Sequence, residues 1–180
     1  MQKSWKLPFA VAFLLATVPL HAQSASPSAE AKALATVMKV GEQMREGLLF
    51  GIQKAIQQGR ASQKEYDCMK SSSLVSLEDT YATAFGAALS PDELKDAAAF
   101  LSTPHGKEYL RYARSLERKQ RGLPDPDPKP ELTDKETAAT LKFLEKSAGK
   151  KLLETRAFET AEFRSSLVAR VSELVIKCKA

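Results

Sequence analysis

The stretch Leu89-Ser90-Pro91-Asp92-Glu93-Leu94, running on to Phe100-Leu101-Ser102-Thr103-Pro104-His105-Gly106-Lys107, decides how this chain folds. A hydroxyl three residues before a glutamate is a capping box, in which Ser90 and Glu93 satisfy each other's exposed helix-start amides. Pro91 falls at the first helical position, where its missing N–H costs nothing. Thr103-Pro104 reads as a second N-cap and proline, and Gly106 lets the following helix approach the first closely. The stretch therefore predicts helix, tight turn, helix, with Ser102, Thr103, Pro104 and Gly106 as the turn motif.

The same pattern returns at an offset of 43 residues. Leu132-Thr133-Asp134-Lys135-Glu136 matches Leu89 to Glu93, Phe143-Leu144 matches Phe100-Leu101, Gly149-Lys150 matches Gly106-Lys107, and Leu153 matches Leu110. Two similar helical hairpins follow, whether by duplication or by arriving twice at one solution. Between them, Gly122-Leu123-Pro124-Asp125-Pro126-Asp127-Pro128-Lys129-Pro130 forbids a helix and favours polyproline II. Seven such residues span roughly 20 Å and act as a semi-rigid spacer.

Outward from the hairpins the chain remains helical, with no alternating β-branched run to suggest a sheet. Leu34, Met38, Met44, Leu48, Ile52 and Ile56 recur at helical spacing and predict one N-terminal helix within 28–60, stopped by Gly59. The first hairpin region covers 62–122, with a bend at the serines 71–73. The linker covers 123–131 and the second hairpin 132–178. A single last helix is expected from Ser147 to Lys177, its apolar face running from Leu153, Ala157 and Ala161 to Val175 and Cys178. The fold class is an all-α bundle of about five to seven helices forming one domain, 23–180.

Residues 1–22 are expected to be a secretory signal peptide. Lys3 and Lys6 precede the apolar run Leu7–Leu20, which ends on small residues at Ala22. Cleavage is placed after Ala22, with sites after Ser24 or Ala25 as alternatives. Pro8 and Pro19 and the shortness of the run disfavour a permanent membrane span. Neither a lipoprotein cysteine nor a paired arginine marks another export route. The 180 residues carry 27 Lys+Arg against 22 Asp+Glu, and processing removes two of those lysines together with Trp5 and His21. So small an excess gives no case for nucleic acid as a partner.

Cys68 and Cys178 remain. In an oxidising compartment they predict one intramolecular disulfide, over two free buried thiols or an intermolecular bridge. Cys178 continues the apolar stripe of the last helix, which favours a structural bond to the Cys68 helix.

The stretch Leu77-Glu78-Asp79-Thr80-Tyr81, Phe85, Leu89 to Leu94 and Phe100 to Lys107 resembles the bacterial domain of unknown function 2059, over about residues 65–122. That family carries a Tyr-containing helix, a capped helix start and a Pro-Gly turn. This chain departs from it at Leu101, where an aromatic is common, and at Glu108, where a basic or polar residue is common. The resemblance implies an exported, all-helical, periplasmic protein of Gram-negative bacteria. It implies no reaction and no catalytic residues.

Nucleotide-binding, serine-hydrolase and zincin signatures are absent, and neither a metal site nor a cofactor is expected. The sharpest candidate site is a basic row, Lys107, Arg111, Arg114, Arg118 and Arg121, whose 4-3-4-3 spacing places all five on one helix side. Tyr109, Tyr112, Ala113 and Leu116 take the opposite side, so the row is expected to face solvent. It suits an anionic envelope component or an acidic protein partner, against a plain solvated face. His105, in the turn beside Ser102 and Thr103, has no acidic orienter in sequence. Glu93 and Glu136 are explained as caps before they are read, with Asp92 and Glu131, as paired catalytic carboxylates. Met38, Met44 and Met69 read as core filler. The expectation is a non-enzymatic binding or interaction protein of the envelope; its alternatives are an inhibitor or immunity protein against an envelope-targeting toxin, and a hydrolase using His105.

Overall fold

The computed structural model describes residues 26–179, so the export segment expected at 1–22 lies outside the described residues. Among the described residues every regular element is helical, in keeping with the expected all-α class. Two long helices expected from the sequence are each broken, which raises the helix count above the expected five to seven.

The first break is at Lys39. Helix α1 (Ala29–Val37) starts on Ser28, whose hydroxyl accepts the Ala31 amide at 3.2 Å, and α2 (Val40–Gln57) follows it. Lys39 adopts a left-handed backbone, φ 55°, at a cost of roughly 1–2 kcal/mol for a residue with a Cβ. Gln43 closes the freed end of α1 by donating to the Met38 carbonyl at 2.7 Å. Packing outweighs the strain, because the break places Leu34, Ala35 and Val40 together in the core. Gly41 lies against Glu78, where a methyl group would collide with that carboxylate.

Helix α3 (Gln63–Ser71) opens on a Ser62–Glu65 capping box, and the serine bend leads into α4 (Val75–Ala88). Helices α5 (Pro91–Ser102) and α6 (Pro104–Arg121) form the first hairpin, and Gly122 at φ 64° ends α6. The second hairpin is α7 (Asp134–Leu144) with α8 (Ser147–Gly149), which continues as a π-helix over Lys150–Glu154.

The second break follows. Arg156 turns left-handed, φ 48°, and Phe158 enters the core edge-on to Phe85 at 4.9 Å. Thr160 then accepts the Phe163 amide at 3.1 Å and starts α9 (Ala161–Lys179). Burying the Phe158 ring is worth roughly 1.5–3 kcal/mol, enough to outweigh helix continuity. The apolar stripe expected across the break is therefore interrupted: Ala157 and Ala161 are exposed. The core gathers α1, α4 and α5 around Phe85, with Phe158 and Phe163 closing one side. A Cys68–Cys178 disulfide ties α3 to the end of α9.

The two hairpins pack on each other reciprocally. α5 lies against α8 and α6 against α7, as in an isologous interface. Phe100 stacks on its counterpart Phe143, centroids 4.2 Å apart and planes 13° off parallel. Gly106 and Gly149 do the same work in both turns, since a Cβ on either would strike the carbonyl of Phe100 or Phe143.

Candidate functional site

The five cations of α6 occupy one side of that helix; Lys107 and Arg121 are exposed as expected, while Arg111, Arg114 and Arg118 are partly covered. The Pro-rich linker doubles back across them as a strap. Arg111 donates to the Asp127 carboxylate, to the Asp127 carbonyl at 3.4 Å and to the Pro128 carbonyl at 3.5 Å. It also pairs with Glu108 at 3.4 Å. Arg118 donates to the Pro124 carbonyl and to Glu46 of α2. Arg121 pairs with Glu117 of its own helix at 3.0 Å. The expectation of a solvent-facing row is thus corrected only at Arg111 and Arg118: an arginine fork finds carboxylates and carbonyls wherever the chain brings them within reach.

Lys129 pins the far end of the strap. Its amide donates to Ser115 of α6 at 2.8 Å, and its ammonium lies 3.0 Å from Glu108 and 3.1 Å from Glu136. The Lys129 side chain is only 13% exposed, and Glu108 first, then Glu136, hold its ammonium above the ordinary lysine range. Glu136 is held below the ordinary carboxylate range, chiefly by the Thr133 amide and then by Lys129.

The hairpin symmetry explains this bridge. In the other half, Glu93 accepts from Ser147 at 2.5 Å and from Lys151 at 2.8 Å. With the Ser90 amide, these contacts lower its carboxyl to about 2. Position 108 corresponds to Lys151 in the repeat, yet it holds a glutamate. Lys129 reaches in from the strap and supplies the missing cation.

With the strap seated, Lys107 and Arg114 have no ion pair among the described residues. Both line a groove of about 580 Å³ between α6, the strap and the α1–α2 corner. Lys39 lies on the facing wall, paired with Glu42 of α2 at 3.3 Å. Val37, Leu101 and Leu110 supply apolar lining. Where the strap meets α6, Arg114 Nε and Asp125 Oδ2 are buried with no hydrogen-bond partner among the described residues.

Residues 76–119 match the sequence model of a family described as "Uncharacterized protein conserved in bacteria (DUF2059)". The expected resemblance is borne out over that segment. The DUF2059 segment runs from the first turn of α4 to near the end of α6, so it holds four of the five cations. The strap, the second hairpin and α9 lie beyond it. No curated protein and no solved structure gives a match.

The turn of the DUF2059 segment is structural in its contacts. Thr103 accepts the Gly106 amide at 3.0 Å and donates to the Phe100 carbonyl at 2.6 Å. Ser102 donates to the Ala98 carbonyl at 2.7 Å, so both hydroxyls beside His105 are held by backbone. His105 itself is exposed on the first turn of α6. Among the described residues no cluster of His, Cys, Asp or Glu is placed to hold a metal ion, and no helix is long and apolar enough to cross a membrane.

Sequence reasoning missed Lys39, Asp125, Asp127, Lys129 and Glu46 as members of this site. One signal was present, the alternation of aspartates with prolines in a segment otherwise read as a spacer. A second cavity, about 520 Å³ between α4 and α9, has two of its three charged lining residues in ion pairs, Asp79 with Lys32 and Arg170 with Glu173.

Proposed function

We propose that this is an exported, periplasmic binding protein of the bacterial cell envelope, non-enzymatic, whose α6 groove takes an anionic ligand. The observation that carries the binding role is that α6 engages the Asp127 carboxylate of the strap while Lys107 and Arg114, with Lys39 opposite, line a groove. Its volume is of the size that small ligands and short segments occupy. The tripartite N-terminus supports export, and a disulfide pairing the chain's two cysteines suits an oxidising compartment.

The binding reading is tested by titrating inorganic phosphate and succinate into the full mature chain and following its amide resonances. Shifts are expected in the first three turns of α6 and around Lys39, and Lys107→Gln with Arg114→Gln is expected to remove them. Shifts that persist in the double variant would place the anion elsewhere and reject the groove. For export, the protein recovered from a periplasmic fraction is expected to begin at Gln23; an intact precursor confined to the cytoplasm would refute that part.

A further inference from the structure

Between Pro124 and Pro128 the hydrogen bonds from the arginines of α6 to the strap are of one kind. The guanidinium groups of Arg111 and Arg118 donate, and the strap accepts, through the carbonyls of Pro124, Asp127 and Pro128 and the carboxylate of Asp127. An arginine carries only donors, and a proline contributes only a carbonyl acceptor. The Asp127 amide is turned inward to Asp125 at 3.2 Å, so it makes no demand on α6. The face thus recognises an extended, acceptor-rich, acidic backbone, and a segment of this chain demonstrates the fit.

The seat is a loose one between firm ends. The Gly122 cap and the Lys129 bridge hold the strap at its two limits. Between them Pro124, Pro126, Asp127 and Pro128 are exposed, and the Asp127 carboxylate is 70% exposed, where an ion pair adds little. Among the described residues two buried polar atoms at the seat, Arg114 Nε of α6 and Asp125 Oδ2 of the strap, have no hydrogen-bond partner, which works against the seated position.

We infer that the ligand of the groove is an extended acidic peptide, and that Pro124–Pro128 is its internal stand-in, displaced when such a peptide takes over the cations of α6. The inference rests on the anion-groove reading above and narrows it. Displacement releases Arg111 and Arg118 from the strap and uncovers Arg114, while Arg118 keeps Glu46, Arg111 keeps Glu108 and Lys129 keeps the strap tethered.

The test uses the full mature chain and a fluorescent peptide with the sequence of residues 123–128, read by anisotropy. Neutralising the strap with Asp125→Asn and Asp127→Asn is expected to tighten binding about two- to fivefold by removing the internal competitor. A peptide with both aspartates replaced by asparagine is expected not to bind, and Arg111→Gln with Arg118→Gln to abolish binding in either background. Should the double strap variant not fold, Asp127→Asn alone carries the same comparison. Equal affinity with and without the strap charges would overturn the inference, as would equal binding of the uncharged peptide. Displacement of the peptide by phosphatidylglycerol vesicles at lower concentration than by unlabelled peptide would also overturn it, in favour of lipid phosphate. If phosphate still shifts α6 while strap neutralisation changes nothing, the inference fails and the anion groove stands. If neither phosphate nor peptide binds any of these proteins, both fail.

Discussion

Phe100 and Phe143 hold the same position in two successive hairpins, and their rings lie stacked 4.2 Å apart. Each hairpin thus uses its equivalent aromatic to bury the other's, which makes the pair a measure of how strongly the hairpins depend on each other. Phe143→Ala, at a buried site, is expected to destabilise by about 3–4 kcal/mol, and Phe100→Ala, half-buried, by less. A double-mutant cycle by urea unfolding should give a coupling of about 1 kcal/mol. Additive losses would mean that the stack contributes only through burial.

The two turn glycines make a matched experiment. At Gly106 and Gly149 a Cβ meets the backbone of the preceding helix, and neither helix can yield without moving the hairpin. Either Gly→Ala substitution is expected to cost more than about 2 kcal/mol, with similar losses at both sites. Gly51, with nothing near its missing Cβ on the exposed side of α2, gives the control. There Gly→Ala is expected to raise stability by about 0.5–1 kcal/mol. The urea midpoints of the three variants decide the matter.

Lys129 compensates a charge that breaks the hairpin symmetry. Lys129→Ala leaves Glu108 and Glu136 facing one another and is expected to lower the urea midpoint. Adding Glu108→Lys should recover most of the loss, since it recreates the Glu93–Lys151 pairing of the other half. The strap should meanwhile become more susceptible to proteolysis in both variants, because its anchor is gone. No recovery in the double variant would show that the two halves are not electrostatically equivalent.

Acid lability follows from Glu93. Its carboxyl titrates near 2 in the folded chain against an ordinary value of 4.5, because Lys151, Ser147 and the Ser90 amide favour the ionised form. A depressed folded-state value means that the stabilisation is fully present above about 4.5 and is lost as pH falls towards 2. Glu65, Glu136 and Glu162 shift in the same direction, so their contributions too are lost as pH falls. Urea midpoints measured from pH 6 to pH 2 should fall steeply for the native chain and less steeply for Glu93→Gln.

The disulfide restrains a helix with few other anchors. Of α9, only Phe163 near its start and Cys178 near its end are buried, and Val168 and Ile176 are 65% and 68% exposed. Closing a loop of 110 residues is worth about 4–5 kcal/mol in the chain-entropy model. Reduction is expected to lower stability by an amount of that order and to accelerate amide exchange first in the last turns of α9. Intact mass under non-reducing conditions should be two protons below the reduced value.

What could be read from the residues alone was local. The Ser90–Glu93, Thr133–Glu136 and Ser62–Glu65 ends of helices are interactions across three residues, and Thr103, Pro104 and Gly106 shape their turn with near neighbours. Such contacts form wherever the sequence occurs, so the hairpins and the all-α class were legible. The breaks at Lys39 and Arg156 were not, because neither site carries a proline or glycine. Each is imposed by something distant, Gly41 lying against α4 and Phe158 reaching the Phe85 ring. The basic row shows the same division. Helical period determined that Lys107, Arg111, Arg114, Arg118 and Arg121 share a side. Only the tertiary structure decided that Arg111 and Arg118 spend their donors on the strap while Lys107 and Arg114 line a groove, because a guanidinium's partner depends on which acceptor the fold carries to it.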